Sequence, residues 1–271
     1  MTPGRLDIDR VGLAFGSAPV RVPVLHVVSV TITPGEFVCL LGPSGCGKST
    51  FLGALAGHLA VASGSLRLDG RIIDGPDPGR GIVFQHHTLF PWKTVLDNVA
   101  YGLKMKGVAR ARREHEARAL LALVGLAGFE GRYPFELSGG MQQRVEIARV
   151  LINEPRVLLM DEPFGALDAQ TRSRMQQLLL RLWTREPTTV VFVTHDIDEA
   201  LFLADRVLVM SPRPGRIIDD IRIDFARPRA TELLTEPAFV AMKRRCLELL
   251  RHDDAPASDR LTLPGFAAVP I

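Results

Sequence analysis

A glycine-rich turn near residue 45 has the residue types and spacing that hold a phosphate group. The stretch GPSGCGKST at 42–50 fits the pattern GxxxxGK[ST], after an apolar run and before a helical pattern. Its backbone N–H groups and the following helix start favour an anion. We expect Lys48 to neutralise the β- and γ-phosphates and the Ser49 hydroxyl to ligate Mg²⁺. The residues predicted to contact the nucleotide are Gly42, Pro43, Ser44, Gly45, Cys46, Gly47, Lys48, Ser49 and Thr50.

The alternative for this turn is a structural strand-to-helix connection with a solvated lysine. A chance match in a chain of 271 residues has a probability on the order of one in a hundred, given ordinary glycine and lysine frequencies. The sequence therefore predicts binding of a nucleoside triphosphate. Within the turn, Cys46 is interpreted as a small side chain that points away from the ligand.

Two adjacent carboxylates follow an apolar stretch later in the chain. Residues 157–163 read VLLMDEP, which predicts a strand ending at Asp161 and Glu162. Neighbouring side chains of a strand point in alternate directions, so the two carboxylates can have different roles. We expect Asp161 to support Mg²⁺ and Glu162 to orient and deprotonate an attacking water. The alternative, an exposed acidic turn, is less favoured beside a phosphate-binding turn.

Two more polar residues close predicted strands. His195 follows the stretch VVFVT, and Gln85 ends the strand predicted at 81–85. Ligands of parallel sheets collect at the carboxyl ends of the strands, so we expect His195 to contact the γ-phosphate and Gln85 to hold the metal or a water. For His86 and His87 we predict no metal role, because no further ligands occur at suitable spacing.

The composition excludes several classes of protein. With 46% hydrophobic and 23% charged residues, the chain is neither disordered nor fibrous. No apolar run approaches the roughly 18 residues of a membrane span, and charges at 5–10 interrupt a secretory leader, so we expect a cytoplasmic protein. A net charge of +3 predicts no nucleic-acid partner. Cys39, Cys46 and Cys246 match neither a disulfide framework nor a zinc site.

The elements that position these residues alternate along the chain. Before residue 50 the pattern predicts strands at 20–33 and 36–41, followed by a helix at 49–58 and a hairpin at 65–74. From about 94 to 151 the apolar spacing is helical. Strands then return at 156–160, 189–194 and 206–210, separated by helices at 170–185 and 198–203, which predicts a largely parallel sheet. A strand and a helix at 237–250 follow, and 253–271 are expected to form a flexible tail.

The octapeptide LSGGMQQR at 137–144 resembles the signature of ATP-binding cassette (ABC) ATPases. The turn at 42–50, Gln85, the Asp161–Glu162 pair, FGALD at 164–168 and His195 resemble the other motifs of that family. They occur in the family's order and cover residues 5 to about 225. One departure is Met141, where the family most often has Gln, and we expect at most a modest effect from it.

The resemblance implies an α/β fold: a P-loop NTPase (RecA-like) core with an antiparallel β-subdomain and an inserted α-helical subdomain. One ATPase domain would span 1–252, with its core at about 1–85 and 152–225, the helical subdomain at about 86–151 and a C-terminal strand and helix at 212–252. The cofactors implied are ATP and Mg²⁺, with Ser49, Gln85 and Asp161 at the metal. Further nucleotide contacts implied are Ser138, Gly139, Gly140, Asp168 and, on adenine, Phe15. For Phe15 a role as an ordinary core residue stays open.

The resemblance also implies partners. In the family, two chains sandwich two ATP molecules head to tail, so that the glycine turn of one faces the Ser138 helix of the other. Residues 84–99 and 206–217 resemble ATPase subunits of nitrate/sulfonate/taurine importers, which work with membrane permeases and an extracellular or periplasmic solute-binding protein. Phe90, Pro91 and Trp92, within 86–100, would then meet a permease. The alternative is that Trp92 caps the core of the helical lobe.

We therefore expect an ATPase at the cytoplasmic face of the membrane that couples Mg²⁺-ATP-driven dimer closure to solute import. One alternative is an ABC ATPase without a membrane partner, acting in repair, translation or cluster assembly. Another is a P-loop kinase or GTPase, which would lack the helix start at Ser138. The transported solute, whether nitrate, an alkanesulfonate or taurine, cannot be read from these residues.

Overall fold

The structure is a computed structural model that describes residues 2–16 and 21–252. The predicted tail at 253–271 lies outside these residues. The strands are β1 (Leu6–Phe15), β2 (Val22–Ile32), β3 (Phe37–Leu41), β4 (Ser63–Leu68), β5 (Arg71–Ile72), β6 (Arg80–Val83), β7 (Val157–Asp161), β8 (Thr189–Thr194), β9 (Arg206–Met210) and β10 (Ile217–Arg222). The α-helices are α1 (Lys48–Ala56), α2 (Val95–Val99), α3 (Tyr101–Met105), α4 (Arg110–Leu123), α5 (Gly139–Leu151), α6 (Ala169–Arg185), α7 (Ile197–Leu203) and α8 (Pro237–His252).

A six-stranded sheet forms the centre of the molecule, in the order β10-β9-β3-β8-β7-β6. Its strands pair in parallel except for β10, which runs antiparallel to β9 at one edge. Consecutive parallel strands require crossovers, and helices supply those from β7 to β8 and from β8 to β9. The predicted α/β fold is confirmed, and the antiparallel edge strand is the one departure from the parallel pattern.

Both faces of this sheet are buried, because every strand of a parallel sheet needs cover on two sides. Along β3, the side chains of Val38 and Leu40 belong to one apolar cluster, and those of Cys39 and Leu41 to another. The first cluster includes α1 and the small sheet; the second includes apolar residues of α2 to α8. The two-residue period of the strands thus divides the core into two layers.

A four-stranded antiparallel sheet, in the order β2-β1-β4-β5, packs on the first of these clusters. Its β2 strand packs against the glycine turn, because a Cβ atom at Gly47 would lie 2.8 Å from Cδ2 of Leu25. The strand also contacts the segment after β9: the His26 N–H donates to the Gly215 carbonyl oxygen over 2.9 Å. The small sheet therefore supports the turn from behind. Within the described residues, no helix is long and apolar enough to cross a lipid bilayer.

Helices α2 to α5 lie between β6 and β7 in the chain and pack against one another. Thr94 caps α2 by accepting a hydrogen bond from the Asp97 N–H over 3.2 Å. The fully buried Asn98 accepts from the Phe90 N–H over 2.8 Å, and the two hydrogens of its amide nitrogen are shared among three carbonyl oxygens within 3.1 Å, those of Phe90, Lys93 and Thr94. A buried amide with this many partners holds the connection before α2 in one conformation.

One predicted boundary that bears on function is wrong. The sequence predicts a strand at 81–85 that ends at Gln85, but β6 ends at Val83. Val83 pairs with Met160, and this is the last pair between β6 and β7. Without a partner strand to continue the ladder, Phe84 and Gln85 leave the sheet in an exposed segment. Gln85 still lies just beyond the carboxyl end of β6.

Candidate nucleotide-binding and hydrolysis site

The parallel registers bring the candidate residues to one edge of the sheet. Leu41, the last residue of β3, pairs with Thr194, and Val193 pairs with Asp161. The residues that follow these strand ends are the glycine turn, His195 and Glu162. Gln85 follows β6 at the same edge. Sequence positions more than a hundred residues apart therefore converge where parallel sheets bind ligands.

The glycine turn wraps around the side chain of Lys48. Its Nζ donates to the carbonyl oxygens of Gly42 and Pro43, each over 2.8 Å, and the residue is 4% exposed. Gly47, just before α1, has φ of 106°, in the left-handed region that favours glycine. The turn therefore holds a cation among backbone amides at the start of a helix, the arrangement that binds phosphate.

Behind the turn, the backbone approaches a second segment closely. The Cys46 side chain is 1% exposed and belongs to the apolar cluster with Leu25 and Met210, so it does not line the outer surface of the turn. A Cβ atom at Gly215 would overlap the Cys46 carbonyl oxygen. The Gly215 N–H donates to the Val24 carbonyl oxygen over 2.8 Å, which fixes the segment against β2.

A second contact joins the turn to the acidic strand end. The Ser49 hydroxyl donates to Oδ1 of Asp161 over 2.9 Å. Burial raises the pKa of Asp161 above its ordinary value; the Ser49 hydrogen bond and Lys48 oppose this rise, and Glu162 adds to it. The Ser49 hydroxyl, the Asp161 carboxylate and the amide of Gln85, which follows β6 at the same edge of the sheet, all offer hard oxygen donors, the set that Mg²⁺ prefers. These residues therefore fit the metal that the sequence predicts.

Glu162 and His195 form the other close pair. Nδ1 of His195 lies 3.0 Å from Oε2 of Glu162, with the carboxylate side chain 17% exposed and the imidazole side chain 57% exposed. Glu162 has φ of 41°, a conformation that costs about 1–3 kcal/mol outside glycine. Its N–H donates to the Val193 carbonyl oxygen over 3.0 Å, and its own carbonyl accepts from Gly165 over 3.1 Å. These two backbone hydrogen bonds stabilise the strained conformation of Glu162 and fix the direction of its side chain.

Ser138 and Asp168 each cap a helix, and the two helix starts are adjacent. Ser138 Oγ accepts from the Met141 N–H over 3.4 Å, and Asp168 Oδ1 accepts from the Thr171 N–H over 3.0 Å. The Thr171 hydrogen bonds lower the pKa of Asp168. A Cβ at Gly140 would lie 2.6 Å from Cγ2 of Thr171, so a larger residue would push the two helix starts apart or displace the Thr171 side chain.

Gly139, in contrast, is exposed, and a Cβ there would meet nothing within 4 Å. Within the described residues, no packing contact requires a glycine at position 139.

Phe15 is 49% exposed at the end of β1. Two residues earlier, Leu13 pairs with Leu25, and Leu25 packs against the glycine turn. A half-exposed ring is available for stacking, and Phe15 is not an ordinary core residue.

Trp92 is 71% exposed, so it does not cap the core of the helical lobe. Its ring lies 5.5 Å from that of Phe90, which in turn contacts Tyr101 at 4.8 Å between centroids. An exposed tryptophan held by a chain of aromatic contacts is typical of a protein interface.

Sequence reasoning missed three residues that organise the site. Arg172 donates from Nη2 to the Leu167 carbonyl oxygen over 3.1 Å and from Nη1 to Oδ2 of Asp196 over 3.4 Å, linking the segment before Asp168 to the residue after His195. Glu146 and Arg149 on α5 hold the segment after Gln85. Both are charged residues in the stretch 145–151, whose other residues are apolar, and this contrast could have marked them.

The fold and the site are those of a P-loop ATPase of the ATP-binding cassette type. A family model described as "ABC transporter" matches residues 25–165, more than half of the chain. The chain belongs to the ABC transporter family, in which it is an ATP-binding subunit that hydrolyses ATP. This membership excludes the kinase and GTPase alternatives.

Similarity to individual proteins indicates the branch of this family. The taurine import ATP-binding protein TauB of Rhizobium johnstonii is 52% identical over 255 residues, covering 92% of this chain and 97% of that protein. TauB of Pseudomonas entomophila is 45% identical over 247 residues, covering 89% and 95%. The predicted resemblance to nitrate/sulfonate/taurine importers is confirmed.

Solved structures give the same fold. A dimeric ATP-binding cassette in a post-hydrolysis state, bound to ADP and phosphate, aligns with a TM-score of 0.72 at 32% identity, covering 82% of this chain and 100% of that one. A second dimeric structure, described as a bacterial ABC transporter cassette, aligns with the same TM-score of 0.72.

The close approach of Gly215 to the glycine turn leads to a test of nucleotide affinity. Gly215→Ala places a methyl group against the Cys46 carbonyl, so the turn must shift. We expect ATP affinity to fall about tenfold, equivalent to ~1.4 kcal/mol. Titration with a fluorescent ATP analogue measures it. Gly75→Ala is the matched control, because a Cβ there meets nothing within 4 Å. Equal affinities in Gly215→Ala and the parent would show that the turn does not depend on this contact.

The raised pKa of Asp161 leads to a pH-dependent effect on stability. Below about pH 3.9, the ordinary aspartate pKa, both the folded and unfolded parent carry the proton, so Asp161→Asn gains nothing. As the pH rises to 7, the folded parent must hold a partly buried charge, and the variant does not.

We therefore expect Asp161→Asn to unfold at higher urea concentration than the parent without nucleotide, by a margin that grows from pH 4 to 7, while Mg²⁺-dependent turnover falls at least a hundredfold. The exposed Asp74→Asn is the control. A margin that shrinks as the pH rises would contradict the assignment.

Proposed function

We propose that two copies of this chain bind two ATP molecules between them and use closure and hydrolysis to drive solute import through a membrane permease. The observation that carries this proposal is the pair of anion-binding helix starts in one chain, at Lys48 and at Ser138. The two starts belong to helices with different supports: α1 adjoins the small sheet, and the start of α5 packs on α6 through Gly140 and Thr171.

The second helix start is open to a ligand from outside its own chain. Ser138 and Gly139 are exposed, and the space around Gly139 is open. A glycine there lets a phosphate come close to the backbone amides of α5. The dimeric cassettes to which this chain is similar support a two-fold arrangement in which the partner's nucleotide fills that space. Asp168, beside it at the start of α6, would lie in the same interface.

Within each site, the residues of one chain divide the hydrolytic work. Lys48 would bind the β- and γ-phosphates, and Phe15 would stack on adenine. Ser49, Asp161 and Gln85 would hold Mg²⁺, which when bound neutralises charge on the phosphates. Glu162 would take a proton from the attacking water, and its strained backbone fixes the direction of the carboxylate. His195 would hold Glu162 through Nδ1 and contact the γ-phosphate with its other ring nitrogen.

Coupling to a permease would run through α5. Glu146, 3% exposed, accepts from the Thr88 N–H and, over 3.2 Å, from its hydroxyl. Arg149 donates to the Thr88 carbonyl oxygen over 2.7 Å, and its guanidinium carbon lies 4.5 Å from the centroid of the Phe90 ring. A force on the aromatic residues at 90–92 would therefore reach the helix that begins at Ser138. We infer that 86–151 moves as one helical subdomain.

The solute is proposed from the relatives. Both relatives described above are named for taurine import, which favours taurine or another small sulfonate over nitrate as the transported solute. The permease and an extracellular or periplasmic binding protein would select it, because no residue of the proposed ATPase site would contact the solute. The chain would work at the cytoplasmic face of the membrane.

The assignment of the base is tested by Glu162→Gln. The amide keeps the shape of the side chain but cannot accept the water proton, so we expect turnover to fall at least a hundredfold while ATP affinity changes less than about threefold. Phosphate release and size-exclusion chromatography with ATP measure hydrolysis and dimer lifetime, which should lengthen. Glu154→Gln, at an exposed position, is the control. Hydrolysis at the parental rate in Glu162→Gln would remove Glu162 from the role of base.

The permease interface is tested by Trp92→Ala in the assembled transporter. Truncating an exposed aromatic anchor should weaken co-purification of the permease in detergent at least tenfold. Phe135→Ala is the control, because Phe135 is 77% exposed but lies outside 86–100. If the parent chain brings no membrane protein with it, the alternative of an ABC ATPase without a membrane partner is favoured instead.

A further inference from the structure

A cavity of about 490 Å³ lies between the second half of α6 and the segment that joins β10 to α8. Its volume is within the range of small-molecule sites. The helix contributes one face, at 177, 180, 181, 184 and 185, and the segment contributes 227–230. Four of these nine lining residues are arginines, and none is acidic: Arg181, Arg185, Arg227 and Arg229.

The cavity lies at the end of the sheet opposite the glycine turn. Arg227 donates from Nη2 to Oδ1 of Asp205 over 2.7 Å, and the Asp205 N–H donates to the carbonyl oxygen of Phe37, the first residue of β3. The glycine turn follows the other end of that strand. An anion bound in the cavity is therefore separate from the nucleotide.

The two arginines on α6 carry charge without an internal partner. Arg181 and Arg185 are exposed, and neither makes an ion pair or a side-chain hydrogen bond within residues 2–16 and 21–252. They occur four residues apart, so they lie on one face of the helix. Thr184 and Gln177 add neutral hydrogen-bond donors beside them.

The two arginines on the opposite wall are fixed in place. Arg227 uses Nε and Nη2 on Asp205, and its guanidinium carbon lies 4.5 Å from the centroid of the Trp183 ring, but its buried Nη1 has no partner in the described chain. Arg229 donates from Nη1 to the carbonyl oxygens of Phe202 and Ala204 over 2.9 and 2.7 Å. Burial, with the nearby Arg227, lowers the pKa of Arg229 to about 10, so it remains charged at neutral pH.

We propose that this cavity binds a small organic molecule that carries a phosphate group. A phosphate monoester has close to two negative charges at neutral pH and three acceptor oxygens, which suit the two exposed guanidinium groups of α6, while the charges of Arg227 and Arg229 on the opposite wall add to the attraction. Leu180 and Pro228 give the organic part an apolar surface. Binding would join α6, which Asp168 caps, to the segment whose Arg229 donates to carbonyl oxygens at the end of α7.

The test is isothermal titration calorimetry with glycerol 3-phosphate on full-length protein carrying Lys48→Ala, which suppresses phosphate binding at the glycine turn. We expect saturable binding, weakened at least tenfold by Arg181→Gln with Arg185→Gln. Both residues are exposed, so the double variant should fold, and circular dichroism checks this. The control is Arg71→Gln with Arg244→Gln, an equal loss of charge at two exposed positions outside the cavity.

Three results would overturn the proposal. One is the absence of saturable binding to the Lys48→Ala protein. The second is an equal loss of affinity in the control pair, which would mean general attraction to a positive protein. The third is methanesulfonate binding as tightly as glycerol 3-phosphate, which would mean that the site does not select a phosphate. None of these results depends on ATP hydrolysis, so the proposed transport function is tested separately.

Discussion

The parallel pairing of β3 with β8 and of β8 with β7 is the constraint on which the site depends. Each register places the residues after one strand beside those after its neighbour, which brings His195 to Glu162. Ser49, on the helix that follows β3, forms its hydrogen bond with Asp161 at the same edge. Because the strands are buried on both faces, a slip of one residue would turn every apolar side chain to the wrong layer. The packing of the core therefore protects the geometry of the site.

Two residues of the site lower the stability of the folded chain, and packing of the core must offset this loss. Asp161 carries a charge in a partly buried position, and Glu162 has a backbone conformation that non-glycine residues avoid. Asp161 is the last residue of β7 and Glu162 follows it, and β7 is hydrogen-bonded to β6 on one side and to β8 on the other. Strain and desolvation concentrate at the functional end of β7, and its other residues, Val157–Met160, are buried and apolar.

Much of this arrangement is predictable because it is local. Short stretches of consecutive residues determine the glycine turn, the caps at Ser138 and Asp168 and the strand that ends at Asp161. Contacts between distant segments are not predictable in this way. Gly215 is necessary because of the carbonyl of Cys46, and Arg172 matters because of Leu167 and Asp196. The end of β6 was misplaced at Gln85 because it depends on where the pairing with β7 stops, not on the local pattern.

The connection between Thr88 and α5 gives these separate parts a mechanical relation. Gln85 leaves β6 at the nucleotide edge, and three residues later the chain is held by Glu146 and Arg149. Those side chains lie on the helix that Ser138 begins. A change at Gln85, where the metal is proposed to bind, and a change at Trp92, where the permease is proposed to bind, therefore act on the same helix. Because the buried Glu146 carboxylate binds the Thr88 N–H and the Arg149 guanidinium binds its carbonyl oxygen, this segment and α5 are expected to move together, so that nucleotide and permease would shift the position of the same helix.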